Sequence, residues 1–456
     1  MGIRQLTPRF DDLRAMVRLG LPMVVVQVGM MLLGVVDTMV VGRHSAEALA
    51  AVALGHVMIV SVSCFSLGVL MALDPLVSQA AGAGDTEGVR RAVQRGLVLA
   101  GLLMIPTTLI LLPARPMLSW LEQPPETVPL AAGYIHICIP GLFPYLVFFA
   151  FRQTLQALGR LKPVVTTIVV VNIFNLGADW LFVFGGGPVP ALGPLGSAWA
   201  TTASRTLLFV VLAVLARREL APMLQRLEPA ALQIAPLWRT FRLGFPIGVQ
   251  ITFEIVAFGV IALLMGRFGS IEMAAHQVAI NLASLTFMVP LGVATASSVR
   301  VGHAIGAGRP AEAKRAAASG LVVGVAFMAM TGGLFVGVPR LLAGLYTSVP
   351  EVVALAAALI PIAGFFQVFD GIQAVSAGIL RGAGDTRAPM VVNLIGFWCF
   401  GLPVSLWLAF RMDFGPSGLW WGLVAALAIV ATVLLARVVW RMRRSLQRIN
   451  VEGSSL

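Results

Sequence analysis

Charge is scarce in this chain. Only 11% of its 456 residues are charged, 20 acidic and 32 basic. Soluble domains run near a quarter charged, so an ordinary soluble domain is excluded. Cysteine is scarcer still. Cys64, Cys138 and Cys399 all fall within apolar runs, which excludes a disulfide frame or a thiolate metal site. The five histidines, His44, His56, His136, His276 and His303, lie apart and lack metal spacing. No HExxH, GxSxG, Walker A or GxGxxG motif occurs. That excludes the zinc hydrolase, serine hydrolase, ATPase and dinucleotide-enzyme readings those motifs carry. Without a nucleotide site, any energy must come from an ion gradient or from the substrate's own gradient.

Apolar residues make up 58% of the sequence, and the mean hydropathy is +0.92. Runs of about 20 apolar residues each span a bilayer as a helix. They predict twelve spans, near 17–41, 51–73, 92–113, 131–151, 164–184, 195–216, 243–266, 275–299, 316–338, 354–378, 389–410 and 416–436. The net charge of +12 does not predict a nucleic-acid partner, because the basic residues sit in short loops between apolar runs. Of 32 Lys and Arg, 26 fall on the side that holds both termini. The opposite loops hold only Arg43, Arg115, Arg267, Arg340 and Arg411, and Arg205 lies inside a span. Both termini are therefore expected in the cytoplasm. The first span runs too long for a signal-peptide core, so no cleavable signal is expected.

The two halves repeat. Arg18-Leu19-Gly20-Leu21-Pro22 matches Arg242-Leu243-Gly244-Phe245-Pro246. Gly42-Arg43 with Gly266-Arg267, and Gly82-Ala83-Gly84 with Gly306-Ala307-Gly308, share the same offset. Gly193-Pro194-Leu195-Gly196 later matches Gly415-Pro416-Ser417-Gly418. Ordered matches in register indicate duplication. The expected fold class is an all-α membrane protein with twelve transmembrane helices in two six-helix lobes. A pseudo-two-fold along the membrane normal relates the lobes. The N-lobe is expected at 1–218, a cytoplasmic linker at 219–240, the C-lobe at 241–440 and a cytoplasmic tail at 441–456.

Four carboxylates stand inside these apolar runs: Asp37, Asp179, Glu254 and Asp370. An ionisable side chain at membrane depth costs about 2.5–3.5 kcal/mol on insertion scales, which marks it as functional. Helical spacing puts Gln27, Met30, Gly34 and Asp37 on one face of the first span. It likewise puts Asn172, Asn175 and Asp179 on one face of the fifth. Asp37 and Asp179 lie at a shared depth, roughly 6–8 Å from the outer interface. They are expected to meet around one proton or small cation, with Asn175 as a neutral ligand and Thr201 and Thr202 within reach. Gln250 and Glu254 lie one turn apart, and Gln367, Asp370 and Gln373 share a face. Glu254 and Asp370 thus form a second acidic cluster. Hard cations prefer oxygen ligands, so sodium and protons both remain open as the bound ion. A polar cluster that merely tethers helices is the plainer alternative. Arg205 is placed either against Asp179, or snorkelling, or in a small polar pocket. An interfacial role is expected for Asp74. Phe253, Phe258, Phe365, Phe366, Phe369 and Trp398 suit flat or cationic substrates.

Ala275-His276-Gln277-Val278-Ala279-Ile280-Asn281, continuing to Phe287-Met288-Val289-Pro290-Leu291-Gly292, resembles the eighth span of multidrug and toxic compound extrusion (MATE) transporters of the NorM-like branch. Val36-Asp37-Thr38 resembles the family's first span, and Leu380-Arg381-Gly382-Ala383-Gly384-Asp385-Thr386 its loop after the tenth. The resemblance covers essentially the whole chain. It implies H⁺- or Na⁺-coupled antiport of small cationic or amphipathic drugs by alternating access, with no cofactor beyond the coupling ion. It places coupling at Asp37, Asn175 and Asp179 in one lobe and Glu254 and Asp370 in the other. Gln27, Met30, Gln250, Phe253, Phe366, Gln367 and Gln373 are expected to line the substrate cleft. Phe366 stands where some members carry a tyrosine. A monomer in the bacterial inner membrane is expected, with the lipid bilayer as its main partner. The alternative is a lipid or lipid-linked oligosaccharide flippase of the same superfamily.

Overall fold

In hydrocarbon every backbone N–H and C=O must be satisfied inside the protein, so a long apolar run resolves into a helix. A computed structural model describes residues 8–186, 188–226 and 228–452. Among them are twelve helices long and apolar enough to cross a membrane. In order they are Phe10–Gly42, Glu47–Gly82, Thr86–Leu111, Val128–Ala157, Leu161–Phe184, Pro194–Leu215, Ile234–Gly266, Ser270–Gly306, Pro310–Gly337, Pro350–Gly382, Arg387–Arg411 and Gly415–Arg443. They are called the first to twelfth spans below. Each matches one predicted span. Several run further than the apolar pattern, most clearly the eighth, which continues through Arg300 and His303 to Gly306. A helix can continue into the interfacial layer because its backbone bonds stay internal while charged side chains reach water.

Several spans are interrupted. The second breaks at Met71–Ala72 and the fourth tightens to a 3₁₀ turn at Ile139–Gly141. The eleventh widens to π geometry over Ile395–Gly401 and again over Trp407–Arg411. Such widenings recur at functional sites. Pro22 and Pro246, one in each repeat, lie inside the first and seventh spans, where each removes one ladder hydrogen bond.

The chain divides into two compact units. One comprises residues 1–27, 82–84 and 249–449, and the other 28–81, 85–248 and 450–456. The divisions fall inside the first and seventh spans, beyond Gln27 and Gly248. The segment 219–240, expected as a cytoplasmic linker, falls within the second unit. There Gln94 on the third span donates to the Met223 and Arg226 carbonyls at 2.8 and 2.7 Å, and Glu228 N–H donates to Gln94 at 3.0 Å.

In the first unit the eighth, ninth, tenth and twelfth spans bury an aliphatic core around Val293, Ile379, Val375 and Leu434. Gly378 and Gly382 of the tenth span lie directly on the backbone of Ala294 and Ser298 of the eighth, leaving no room for a Cβ. A small residue every fourth position lets two helices meet backbone to backbone. This seam sets the rotation of the tenth span and so the direction of Asp370 and Gln373. In the second unit Gly29 is filled by the Ile168 side chain. Asn172 donates to the Gly29 carbonyl at 3.0 Å, tying the fifth span to the first.

Candidate functional site

Two polar clusters lie among the spans, one in each unit. The cluster of the second unit is built from four helices. Asp37 comes from the first span, Asn175 and Asp179 from the fifth, Ser197 and Thr201 from the sixth, and Tyr134 from the fourth. All six side chains are buried. Asn175 Nδ2 donates to Asp37 Oδ1 at 3.1 Å, and the Thr201 hydroxyl donates to Asp37 Oδ2 at 2.9 Å. The Tyr134 and Thr201 hydroxyls stand 3.5 Å apart, at the limit of a hydrogen bond. Asp179 faces Asp37, with Ser197 and Asn175 around it. Yet both Asp179 oxygens, Asn175 Oδ1 and Ser197 Oγ are buried with no hydrogen-bonded partner among the described residues. Native proteins seldom leave such atoms unsatisfied. Two facing carboxyls with further unsatisfied oxygens make an electron-rich cage. Such a cage is chemically able to take up a shared proton or a hard monovalent cation.

The structure brings Asp37, Asn175, Asp179 and Thr201 together. Tyr134, Ser197 and His56 were not anticipated. The His56 ring packs where Gly34 leaves space, 3.6 Å from a notional Cβ, one turn before Asp37. The same test that found the acids, a polar group inside an apolar run, applies to Ser197 and His56. Tyr134 carries no such signal, since an aromatic ring is ordinary there.

Arg205 forms no ion pair with Asp179. Its guanidinium lies over the Tyr145 ring at 5.4 Å, and its Nη1 is buried without a hydrogen-bond partner among the described residues. It sits two turns beyond Ser197 on the same helix, about 12 Å along the axis, so the charge points elsewhere. Asp74 is fully buried within the protein. Its Oδ1 accepts from Gln153 Nε2 of the fourth span at 2.9 Å.

The cluster of the first unit joins the seventh, tenth and eleventh spans. Gln373 Nε2 reaches both Glu254 oxygens at 3.3 and 3.4 Å and donates to Asn393 Oδ1 at 2.8 Å. Asn393 in turn donates to the Pro389 carbonyl at 2.9 Å. Asp370 is buried close enough to Glu254 for the two charges to interact. Asn393 went unnoticed in the sequence although it too is a polar group in an apolar run. A crevice beside Glu254 is lined by Gln250, Phe253, Asn393, Phe397 and Trp398. Trp398, in the first π segment, donates its indole N–H to the Phe253 carbonyl at 3.3 Å and meets the Phe253 ring edge-on.

The remaining residues expected in a cleft are distributed differently. Phe366 is buried in an aromatic core, edge-on to Phe258 and Trp420. Gln367 faces the ninth span, accepting from the Thr331 hydroxyl at 2.7 Å. Gln367 lies about 120° around the tenth helix from Gln373 and so meets the ninth span, whereas Phe366, two turns before Gln373 on nearly the same face, packs against the seventh. Gln27 and Met30 are half-buried on the first span and belong to different units. Among the described residues no three His, Cys, Asp or Glu side chains converge. Each cluster is therefore a carboxylate pair supplemented by neutral oxygens.

Twelve apolar spans in two units, each with a carboxylate pair among its helices, form the architecture of a membrane transporter. The MatE family model matches residues 22–181 and 246–407, one stretch in each half. The chain belongs to the MATE family of membrane transporters, in its NorM-like branch. It is similar to the probable multidrug resistance protein NorM of Rhizobium meliloti (strain 1021), with 37% identity over 446 residues, or 96% of this chain and 94% of the relative. The protein of the same description from Brucella suis biovar 1 is 35% identical over 437 residues, 93% of this chain and 92% of the relative. Among solved structures, the eukaryotic MATE transporter AtDTX14 aligns with a TM-score of 0.87 and 26% identity, covering 95% of this chain and 98% of that one. The bent form of the Vibrio cholerae transporter VcmN has the same fold, with a TM-score of 0.82 and 19% identity over 95% of this chain and 97% of that one.

Proposed function

We propose that this protein exports small cationic or amphipathic compounds in exchange for H⁺ or Na⁺, by alternating access, from a bacterial inner membrane with both termini cytoplasmic. The observation that carries the reading is the enclosed carboxylate pair Asp37–Asp179 with its unsatisfied oxygens. In this reading an ion entering from outside occupies that pair. Thr201 and Asn175 hold Asp37 in place, and Ser197 turns its hydroxyl oxygen toward the bound cation. The second pair, Glu254 with Asp370, lies beside an aromatic-lined crevice. Its acids attract the substrate's positive charge, and Phe253 and Trp398 offer it a π face.

Moving one positive charge outward against 100 mV costs about 2.3 kcal/mol. One ion moving inward cancels that electrical term and leaves the chemical gradient as the drive. The names of the curated relatives, which describe multidrug resistance proteins, support the substrate class. The deciding experiment is efflux of a fluorescent organic cation from proteoliposomes, with Na⁺ and H⁺ gradients imposed separately. Acceleration by either gradient supports coupling. Indifference to both, with lipid translocation instead, would establish the flippase reading.

A further inference from the structure

The twelfth span ends in a basic concavity that ion coupling does not use. The helix Gly415–Arg443 has 29 residues, about 43 Å at 1.5 Å per residue, against a hydrocarbon core of about 30 Å. Gly415 to Ala436 already spans that core, so Arg437 and everything after it project into the headgroup layer. There a cavity of about 460 Å³ opens, lined by Asp385, Arg437, Trp440, Arg441 and Arg444. The guanidinium carbons of Arg437 and Arg444 lie 4.1 and 4.0 Å from the centre of the Trp440 ring. Two like charges held within about 8 Å of each other on one ring repel unless an anion relieves them.

The local carboxylate is already engaged. Asp385 Oδ2 accepts from Arg437 Nε at 2.8 Å. Its other oxygen faces the Ala388 N–H at 3.4 Å, at the start of the eleventh span. Neither Arg441 nor Arg444 meets a carboxylate among the described residues, and Arg441 spends one N–H on the Ser445 carbonyl at 3.0 Å. The helix C-terminus contributes only about half a negative charge. Three guanidiniums against one carboxylate and this half charge leave an excess of between one and two positive charges. That matches a single phosphodiester. Guanidinium forks bind phosphate oxygens in pairs, and tryptophan prefers the interface where one end of a ligand is apolar and the other wet.

We propose that Arg437, Arg441 and Arg444, gathered around Trp440, bind the phosphodiester headgroup of an anionic phospholipid. Arg437 is oriented by Asp385, and Arg441 and Arg444 supply the free charge. The lipid thereby anchors the end of the twelfth span to the loop that carries Asp385.

The test is native mass spectrometry of the full chain in detergent. It is titrated with phosphatidylglycerol, with phosphatidylcholine of the same acyl chains, and with inorganic phosphate. Phosphatidylglycerol is expected to bind at least about tenfold more tightly than phosphatidylcholine, and to weaken as salt rises. At about 1 kcal/mol per arginine near an anionic surface, R441Q/R444Q should lose about thirtyfold, or about 2 kcal/mol, for phosphatidylglycerol. Its phosphatidylcholine binding should be unchanged. Arg441 is half-exposed and Arg444 exposed, so the fold does not depend on them. R441K/R444K, which keeps the charge, should retain most of the preference. R217Q/R218Q, at two exposed arginines elsewhere, should retain all of it. Equal binding of the two lipids, or an unchanged preference in R441Q/R444Q, would overturn the site. So would an equal loss in R217Q/R218Q, which would mean that net charge alone matters. Inorganic phosphate binding as tightly as phosphatidylglycerol would overturn the lipid assignment in favour of a free anion.

Discussion

Replacing Asp37 by Asn separates the structural from the ionic role of the buried pair. The two side chains are nearly isosteric. Asp37 accepts one bond from Asn175 and one from Thr201. In the variant the amide oxygen can keep the Asn175 bond. The amide N–H₂ then faces Thr201, whose hydroxyl accepts as readily as it donates. Both contacts survive with reversed polarity at one of them. The cost is limited to the difference between a charge-assisted and a neutral hydrogen bond, about 1 kcal/mol each. Removing a buried charge offsets part of it. Unfolding should therefore shift by no more than a few degrees.

Ion binding should behave otherwise. A monovalent cation about 4 Å from a carboxylate gains about 4 kcal/mol at an effective dielectric near 20. Losing one of two such partners lowers affinity by roughly a thousandfold. At fixed ion concentration the site then stays empty and driven efflux stops. The assay is dye-cation efflux from proteoliposomes across an imposed ion gradient, run beside thermal unfolding of the same preparation. Efflux by the asparagine variant at the wild-type rate, with the wild-type ion dependence, would refute the reasoning. A variant that fails both assays would instead assign Asp37 to the scaffold.

The other predictions address neighbouring parts. Thr201→Val removes one donor to Asp37 at nearly constant volume, and should raise the ion concentration for half-maximal efflux by about ten- to a hundredfold, equivalent to about 1.5–3 kcal/mol for a bond to a charged group. Glu254→Gln should weaken competition by cationic substrates more than by neutral amphipathic ones, as measured by inhibition of dye transport. Asn393→Leu leaves Gln373 without the acceptor it meets at 2.8 Å. It should lower transport without lowering expression, by an amount that a comparison with Asn393→Asp resolves. Gly378→Leu forces a side chain into the Ala294 backbone. It should reduce the level of folded protein in detergent by size-exclusion fluorescence, whereas Gly333→Leu, where nothing lies within 4 Å, should not.

Much of this protein was legible in its sequence for one reason. A bilayer forbids unsatisfied backbone and penalises every charge, so apolar length marks each span and each buried acid stands out. Twelve runs predicted twelve helices. Helical spacing alone put Asn175 and Asp179 on one face of the fifth span and Asp37 on the small, polar face of the first. The repeated Arg-Leu-Gly-Leu-Pro and Arg-Leu-Gly-Phe-Pro segments revealed the duplication. These are properties of one helix or of one repeat, and periodicity contains them.

What periodicity cannot contain is the choice of neighbour, and there only the tertiary structure decided. Arg205 and Asp179 share a lobe, but the rise of the sixth helix carries the guanidinium to Tyr145 instead. Gln367 and Gln373 both occur near Asp370, yet helix rotation sends one to Thr331 and the other to Glu254. That rotation is set by Gly378 and Gly382 lying on the backbone of the eighth span. The units divide inside the first and seventh helices, because packing rather than polarity defines a compact unit. The arginines at the end of the twelfth span read as ordinary positive-inside charge. Only their gathering around Trp440, with Asp385 brought in from the loop before the eleventh span, turned that charge into a site.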